Sequence, residues 1–468
     1  MVESDVQVIV IGAGIAGINA ATSLHSKGIS TLILEARDRI GGRLYTHYPE
    51  GSEYGYDLGA CWFHATCNNP LFAKSVEKGN IEYFFDDHSA MIVGPDGPIP
   101  GDYNLGPIVD EMKLFTSLAT KDTTLKNMCA EYLISQGKFL TEDQKKYAPS
   151  LLRVLEIPNG TSWDMMSGKL SSGAYGGRDA FVNSGYEKVI ENILENYPKS
   201  NISTSTVVKS ITKLDDGKYQ VVTDSGAKFT SSYVLVTIPQ SVLKLSIEDP
   251  DAKGAIKFTP QLPKSITDNF SKTHFQSLCK VIFEYDEAFW PNVEKFIIIP
   301  KPDDSLSKST NHPIVEFNKI PSKNDKFSPF DFPCVVSNLK AVRNIPSLMF
   351  LIPAPVSHLL EANVEKYGIP LITPIISKLS GVPENELPKP KIVISSNWSA
   401  DPFSRGSIRG NAVGDIPVND ALLDGFDGIK FAGEAYCYEG NGNAHGAYIS
   451  GGKQADIIAD LLSSNGKL

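Results

Sequence analysis

The chain contains 468 residues, of which 41% are hydrophobic and 21% charged, and this composition is ordinary for a globular enzyme. No stretch approaches the roughly 18 uninterrupted apolar residues of a membrane-spanning helix, so we expect no membrane partner. The net charge of −10 disfavours nucleic acid as a partner and would attract cationic small molecules. The six cysteines lack Cys-x-x-Cys spacing, which argues against a metal site and a disulfide framework and favours a reducing, cytoplasmic compartment.

The N-terminal part of the chain predicts a strand, a helix and a second strand. Residues 6–11 form a continuous apolar run, as in a strand that is buried on both faces. Lys27 and Gly28 supply a basic last turn and a stop for the helix, and residues 31–34 form the second strand. This order indicates a Rossmann-like unit. No basic region or cleavage site precedes it, so we expect no signal peptide.

Three glycines occupy the turn between the first strand and the helix. Gly12 permits the tight turn, Gly14 lets a pyrophosphate approach the backbone, and Gly17 lets the helix pack close to the strand. Glu35 ends the second strand, 23 residues after Gly12, where a carboxylate can accept hydrogen bonds from an adenosine ribose and disfavours NADP. The motif predicts dinucleotide binding and leaves NAD and FAD open.

A second glycine-rich loop follows Glu35 and ends in Gly41-Gly42-Arg43, which would place a flexible cationic loop beside the pyrophosphate. Near the C-terminus, a glycine and a glutamate follow a predicted strand. Both segments resemble FAD motifs of the glutathione-reductase-type flavoproteins, and specifically of the flavin amine oxidase family. The resemblance implies FAD and disfavours an NAD-dependent dehydrogenase. The cofactor-binding residues that it implies in these segments are Ala36, Arg37, Gly42, Arg43, Gly433 and Glu434.

Residues 80–195 change character and do not continue the alternation of strands and helices. Residues 94–98 read Gly-Pro-Asp-Gly-Pro and predict a turn. Thr141 with Gln144 predicts a capping box at the start of a helix. We expect this part to be mostly helical.

Short strands return after residue 200. Residues 219–230 predict a hairpin. Polar and apolar residues alternate over 278–285, which places Lys280 on one face with Ile282 and Glu284. Residues 300–335 are polar and predict a long excursion on the surface. Further strands are predicted at 233–238, 348–352, 392–396 and 429–432, followed by a final helix over 447–462.

The family resemblance extends along nearly the whole chain and is strongest for the yeast-type polyamine (spermine) oxidases. It implies that residues 57–64 lie along the flavin ring, with His64 in the active site, and that Lys280 holds a water against the flavin. Asp87, together with Asp86, resembles acidic residues near the family's substrate tunnel. Further cofactor contacts are implied for Gly59, Ala60, Val208, Trp398, Ala444 and His445.

The implied activity is the oxidation of spermine or an acetylated polyamine by hydride transfer to FAD. Oxygen would reoxidise the flavin, so hydrogen peroxide, an aminoaldehyde and an amine are the expected products. The expected partners are a small-molecule polyamine and O2, with the protein a monomer or a homodimer. Monoamine oxidases of the family attach the flavin to a cysteine. Ser407 stands at the corresponding position here, which predicts non-covalent FAD.

Three departures from the yeast-type pattern affect the expected substrate pocket. Asp179 stands where an asparagine is expected, His445 replaces an aromatic residue, and Pro158-Asn159 replaces a Trp-His pair. Loss of aromatic walls would widen the pocket, while Asp179 would add a carboxylate. A second hypothesis therefore remains open, in which a flavoprotein of the same fold mainly binds a steroid, such as a corticosteroid, with weak or no oxidase activity.

The predicted fold combines α/β and α+β parts in two discontinuous domains. The first is a glutathione-reductase-type, Rossmann-like FAD-binding domain, and the second is a mixed-sheet and helical substrate-binding domain. The active site is expected at their interface. The C-terminal Gly-Lys-Leu only loosely resembles a peroxisomal tail, so we expect a cytoplasmic protein. The FAD-binding domain is assigned residues 1–80, 195–285 and 405–468, and the substrate-binding domain residues 81–194 and 286–404.

Overall fold

The computed structural model describes residues 4–87, 89–171, 177–306, 326–464 and 466. Two large sheets dominate its architecture. The first has eight strands and a largely parallel centre, in which Ser4–Ile11 lies between Thr31–Leu34 and Lys228–Val236. The order across this sheet is Ile202–Ser203, Thr31–Leu34, Ser4–Ile11, Lys228–Val236, Tyr219–Thr223, Val208–Lys213 and Lys257–Thr259, with Ile429–Phe431 also paired to Lys228–Val236.

Helices cover one face of this sheet. Val8 and Val10 point into the core that these helices form, whereas Ile9 and Ile11 point into a second core on the opposite face. Burial on both faces explains why the strand is continuously apolar. The helices in contact with the first core are Ile15–Ser26, Pro70–Lys78, Tyr186–Leu194 and Ala444–Ser464.

The second sheet has seven strands. Leu278–Glu284 lies next to the edge strand Ile392–Ser395, and its side chains alternate between two environments. Cys279, Val281 and Phe283 enter a core that includes residues of the helices Val356–Ala362 and Ile369–Ser380. Lys280, Ile282 and Glu284 lie on the face of the sheet opposite this core, as the alternation predicted. The strand order is Ile392–Ser395, Leu278–Glu284, Ser347–Pro353, Cys334–Asn338, Lys295–Ile298, Ala90–Gly94 and Gly97–Pro98.

Three helices form a separate helical layer with its own core: Leu105–Leu118, Leu125–Gln136 and Glu142–Leu152. The predicted capping box is confirmed, because Thr141 Oγ1 accepts from the Gln144 N–H and the Gln144 side chain accepts from the Thr141 N–H. The mostly helical expectation for residues 80–195 was incomplete. Among the described residues of this segment there are four short strands, and most of them pair with partners far along the chain: Tyr83–Phe85, Ala90–Gly94, Gly97–Pro98 and Ala180–Val182.

Short elements connect these layers. Small sheets join Trp62–Phe63 and Tyr83–Phe85 to Ala180–Val182, Thr46–His47 to Tyr56–Asp57, and Phe275–Gln276 to Ile408–Arg409. The remaining α-helices are Glu156–Asn159, Gln240–Leu243, Leu245–Glu248, Lys264–Thr267, Leu339–Arg343 and Asp420–Asp424. A π-helical turn spans Val364–Gly368, and the 3₁₀ turns are Thr66–Asn68, Gly101–Tyr103, Gly137–Phe139, Arg153–Leu155, Lys199–Asn201, Phe270–Lys272 and Glu384–Glu386.

Two sequence predictions need adjustment. The hairpin around 219–230 is present, but its second strand continues as Lys228–Val236, where the sequence suggested two separate strands. The polar excursion over 300–335 ends in the strand Cys334–Asn338, which was not predicted, and residues 307–325 of it lie outside the described residues. Within the described part of the chain, no helix is both long and apolar enough to cross a bilayer.

The packing cuts across the predicted domain division at two places. Leu278–Glu284, assigned to the FAD-binding domain, pairs with Ser347–Pro353 and Ile392–Ser395 in the second sheet. Tyr186–Leu194, assigned to the substrate-binding domain, packs against Ile15–Ser26 beside the first sheet. Sheet pairing and helix packing over long sequence separations determine where each segment lies.

Candidate active site

A cavity of about 930 Å³ is lined by residues of both large sheets. At one end its wall includes Glu35 and Val208, which lie at ends of strands in the first sheet. At the other end the wall includes Lys280, Leu351 and Trp398. The cavity therefore reaches from the carboxyl ends of the parallel strands to the inner face of the second sheet, a common place for ligands in open α/β sheets.

The glycine turn forms one wall of this cavity. Gly12 has φ +104°, a left-handed conformation that glycine adopts without strain. A Cβ at Gly17 would overlap the backbone oxygen of Gly12, whereas a Cβ at Gly14 would meet no atom within 4 Å. Gly14 lines the cavity. The backbone is therefore open to a ligand at Gly14 and closed by helix packing at Gly17.

Glu35 is buried at the end of the second strand. Its carboxylate accepts hydrogen bonds from the N–H groups of Ala13 (2.7 Å) and Arg37 (2.8 Å). These contacts hold the acid against the glycine turn, and each carboxylate oxygen retains a lone pair for a further donor. Arg37 itself bonds to Asp401 at 2.8 Å and to Ser404 at 2.7 Å.

The second glycine loop packs directly on the first. A Cβ at Gly42, where φ is +62°, would lie 3.3 Å from the Cα of Gly14. Arg43 donates from Nη1 to Glu434 Oε1 at 3.0 Å. The other carboxylate oxygen of Glu434 is buried and has no hydrogen-bond partner among the described residues. Because a buried acceptor without a partner is costly, Glu434 indicates that a ligand with a hydrogen-bond donor belongs here.

Lys280 is only 5% exposed and lies on the cavity wall. Its Nζ donates to the carbonyl oxygen of Asp57 at 2.9 Å, to the carbonyl oxygen of Gly59, and to Cys61 Sγ at 2.8 Å. The indole ring of Trp62 lies 5.8 Å from Nζ. Nζ is thus positioned by the backbone of residues 57–61, which includes the predicted cofactor contacts Gly59 and Ala60.

Trp398 forms another part of the wall, and a carboxylate that the sequence did not single out holds its segment. The indole Nε1–H of Trp398 donates to the Leu58 carbonyl oxygen at 2.8 Å. Glu361 accepts from the N–H groups of Trp398 (3.0 Å) and Ser399 (2.9 Å). Burial raises the pKa of Glu361, and these hydrogen bonds act in the opposite direction. Glu361 belongs to no recognisable motif, so only the fold could bring it to this turn.

His64 and Asp179 form a hydrogen-bonded pair at the edge of the cavity. His64 Nδ1 lies 2.7 Å from Asp179 Oδ2, and the Ala65 N–H donates to Asp179 Oδ1 at 2.9 Å. The His64 ring stacks beside Trp62, with centroids 6.5 Å apart. His64 lines the cavity, whereas Asp179 is not part of the wall. The unexpected aspartate thus orients the histidine and brings negative charge close to the site.

The other proposed substrate residues lie farther from the cavity wall. His445 is 5% exposed and packs against Gly440, and burial lowers its pKa, with a further lowering by His64. His445 is therefore a buried neighbour of the site, while Ala444 lines the cavity. Asp87 lies outside the wall and donates its N–H to Glu294 Oε2 at 3.1 Å.

Asp87 belongs to an acidic cluster next to the histidine pair. Asp86 forms an ion pair with Lys295, and its N–H donates to the Asp179 carbonyl oxygen at 2.9 Å. Burial and then the adjacent Asp87 and Asp86 raise the pKa of Glu294 to about 7. The cluster therefore adjoins the cavity edge through Asp179.

Ser407 and Cys437 are the residues to consider for a covalent bond between the protein and a flavin. Ser407 lines the cavity, and its Oγ accepts from the Leu278 N–H. Cys437 lies away from the wall, donates to the Glu434 carbonyl oxygen at 3.4 Å, and has a pKa raised to about 12 by burial. Pro158 and Asn159, where two aromatic rings were expected, do line the cavity.

These features define a mixed α/β protein with a long site for an extended ligand. A family profile described as flavin containing amine oxidoreductase matches residues 15–103 and 152–459. A corticosteroid-binding protein of Candida albicans is 32% identical over 98% of this chain and 97% of its own length. The chain belongs to the flavin-containing amine oxidoreductase family, and its cofactor is FAD, which this family typically binds without a covalent bond.

Other relatives carry names that indicate different activities. A probable polyamine oxidase 4 of Arabidopsis thaliana is 24% identical over 95% of this chain and 85% of its own length. A lysine-specific histone demethylase 1 homolog 3 of Oryza sativa subsp. indica is 27% identical over 96% of this chain and 54% of its own length. The residues present fit FAD, because Gly14 leaves its backbone open to the cavity and Glu434 has a buried acceptor without a partner among the described residues.

Proposed function

We propose that this protein is an FAD-dependent amine oxidase that acts on polyamines such as spermine or an acetylated polyamine. The proposal depends above all on Lys280, a buried lysine whose Nζ is held by the carbonyl oxygens of Asp57 and Gly59 in the wall of the cavity. That cavity also contains the glycine turn and Glu434. A buried lysine in the same cavity as a dinucleotide-type turn is suited to ordering water beside a bound cofactor.

The cofactor would extend along the cavity in one direction. Its adenosine would lie near Glu35 and Val208, its pyrophosphate beside the glycine turn, and its ribityl chain near Glu434. The ring would then lie near Lys280. Further contacts would come from Gly12, Gly14, Ala36, Arg37, Gly42, Arg43, Gly59, Ala60, Trp398, Gly433 and Ala444. The FAD-binding domain would be built mainly around the first sheet and the substrate-binding domain mainly around the second, with Tyr186–Leu194 packed beside the first sheet and Leu278–Glu284 paired into the second.

When bound, FAD supplies the hydride acceptor for the carbon beside the amine nitrogen and returns the electrons to oxygen as hydrogen peroxide. Lys280 would hold a water at the reacting end of the cavity. The apolar side chains of Leu351 and Trp398 would favour an uncharged nitrogen there, because burial disfavours the ammonium form. Water would then hydrolyse the imine to the aminoaldehyde and an amine.

A polyamine also carries a cationic nitrogen remote from the reacting carbon. The acidic cluster of Asp86, Asp87 and Glu294 adjoins His64 through Asp179. This concentration of negative charge at the cavity edge would attract that remote cation. His64, oriented by Asp179, would contact the substrate between the two ends.

A second candidate function is supported by a different part of the wall. Pro158 and Asn159 line the cavity where the family resemblance implied a Trp-His pair, and Leu170 lines it as well. A wider and less aromatic pocket would accept a bulky apolar ligand, and the relative from Candida albicans is named a corticosteroid-binding protein. In this alternative the protein would bind a steroid and oxidise amines weakly or not at all.

An anaerobic titration followed by the visible flavin spectrum separates the two candidates. We expect spermine or an acetylated polyamine to bleach the oxidised flavin bands, because hydride transfer reduces the cofactor without oxygen. A steroid should perturb the bands without bleaching them if it only binds. Putrescine provides a matched diamine that lacks secondary nitrogens. A spectrum that stays oxidised with every amine would contradict the oxidase proposal.

A further inference from the structure

The contact between Lys280 and Cys61 pairs an amine with a thiol inside the cavity. Lys280 Nζ lies 2.8 Å from Cys61 Sγ, and both residues line the cavity wall. Neither the oxidation of an amine nor the binding of FAD requires a thiol at this point. The pair therefore has a chemistry that the proposed function leaves unused.

The two atoms are held together by the surrounding backbone. Lys280 is on the strand Leu278–Glu284, and its Nζ is also bound by the carbonyl oxygens of Asp57 and Gly59. Those two residues precede Cys61 in the same segment. The segment is held in place at Asp57, whose carboxylate accepts a hydrogen bond from the Tyr186 N–H at 3.1 Å. The nitrogen and the sulfur can therefore bond to each other without a rearrangement of the backbone.

The proposed oxidase activity would supply an oxidant, hydrogen peroxide, in the same cavity. This physiological source of peroxide rests on the proposed function. Each turnover would release hydrogen peroxide into the cavity that Cys61 lines. A thiol oxidised by peroxide forms a sulfenic acid, and a sulfenic acid condenses with a nearby thiol or nitrogen. Lys280 Nζ is a side-chain nitrogen within hydrogen-bond distance of the Cys61 sulfur.

We propose that Cys61 and Lys280 form a reversible sulfur–nitrogen cross-link when the cavity is exposed to hydrogen peroxide. In the first step the Cys61 sulfur attacks peroxide, an S–O bond forms, the O–O bond breaks, and one water leaves. In the second step the Lys280 nitrogen attacks that sulfur and gives a proton to the leaving hydroxyl, an S–N bond forms, the S–O bond breaks, and a second water leaves. Sulfur loses two electrons, and one peroxide is reduced to two waters.

The cross-link acts as a brake and is absent from the resting protein. Burial raises the pKa of the Cys61 thiol to about 11, and the adjacent Lys280 acts in the opposite direction. The thiol is therefore protonated near neutral pH and reacts slowly, because the thiolate is the nucleophile. Cross-linking consumes the amine that holds water for the reaction, so accumulated peroxide stops turnover until a thiol reductant cleaves the S–N bond.

Mass spectrometry of the holoenzyme tests the proposal. The protein is incubated with hydrogen peroxide and no amine, alkylated under acid denaturing conditions, digested without reductant and compared with an untreated sample. We expect one peptide pair that joins Cys61 to Lys280, with a mass equal to the sum of the two peptides minus two hydrogens. Treatment with dithiothreitol should return both peptides to their unmodified masses.

Two variants provide the controls. Cys61→Ser should abolish the cross-linked peptide, whereas Cys279→Ser should leave it intact. Cys279 is as buried as Cys61 and lies next to Lys280 on its strand, but it faces the other core. A Cys61 that becomes sulfinic acid while Lys280 stays unmodified would overturn the proposal. A cross-linked mass with one extra oxygen would overturn the sulfur–nitrogen bond. Because peroxide is added directly, the anaerobic bleaching of the flavin by amines can fail while this test succeeds, and the reverse also holds.

Discussion

Lys280 acquires its environment from residues more than two hundred positions away. The alternation over residues 278–285 indicated a two-faced strand but did not determine which face is buried more deeply. In the structure both faces are buried, and Nζ of Lys280 reaches the backbone of Asp57 and Gly59. His64 is a similar case, because Asp179 that orients it comes from a distant segment.

We expect Lys280→Met to slow flavin reduction by a polyamine, reoxidation by oxygen, or both, by on the order of 10²-fold. Methionine retains most of the length of the side chain but removes the donors to Asp57, Gly59 and an ordered water. Stopped-flow absorbance of the flavin measures the two half-reactions separately.

Lys228→Met is a suitable control for this measurement, because Lys228 is an exposed lysine at the start of a strand. The control should match the wild type in both half-reactions. If Lys280→Met also matches the wild type in both, the role proposed for Lys280 is wrong.

The helix Ile15–Ser26 packs so closely against its neighbours that glycine is required at the contact points. It packs between the first sheet and Ala444–Ser464, and a Cβ at Gly451 of that long helix would overlap the backbone of Ala16. On the side of the sheet, the backbone oxygen of Gly12 and the side chains of Thr237 and Val10 leave no room for a Cβ at Gly17. The free N–H groups of the first helical turn remain available at the cavity, where they would bind phosphate charge.

We expect Gly17→Ala and Gly14→Ala to fail in different ways. Gly17→Ala should destabilise the protein itself by about 1–3 kcal/mol, because the methyl group overlaps the backbone of Gly12. Gly14→Ala should leave the apoprotein as stable as the wild type, because there is space for the methyl group, but should weaken FAD binding by occupying the cavity.

Thermal unfolding of the apoproteins and the FAD content of the purified proteins measure these two effects. Gly106→Ala serves as the control, since Gly106 lies in a helix and a Cβ there would meet no atom within 4 Å. Equal apoprotein stability and equal FAD content in all three variants would contradict the roles assigned to the turn.

On the scale of the whole molecule, two sheets with separate cores share one cavity. The first sheet contributes Glu35 and Val208, and the second contributes Lys280 and Leu351. A ligand that contacts both parts would stabilise their association, because it binds the folded arrangement and not the unfolded chain. The wall at Ser407 presents a hydroxyl, which offers no thiolate for attachment of a flavin.

We therefore expect FAD to dissociate completely when the holoenzyme is denatured with acid. The precipitate should be colourless and the supernatant should carry the flavin absorbance. Removal of FAD should also lower the unfolding temperature, and added FAD should restore it in a concentration-dependent way. A yellow precipitate would show a covalent bond and would refute the interpretation of Ser407.

Local patterns in the sequence were sufficient for the elements whose form depends on neighbouring residues. The glycine turn, the strand before it, the capping box at Thr141 and the hairpin around 219–230 all follow from turn chemistry and periodicity. The motifs that resemble the flavin amine oxidases also lie within short segments, which is why the family and the cofactor could be predicted.

Contacts between segments that are distant along the chain could be seen only in the tertiary structure. The contact of Lys280 with Cys61, the support of Trp398 by Glu361, and the short strands in the middle of the chain involve partners that no local pattern specifies. The physical reason is that a hydrogen bond or a strand pair forms wherever the fold brings complementary groups together. The sequence by itself predicted candidate residues for the chemistry, and the packing of the two sheets determined which residues meet.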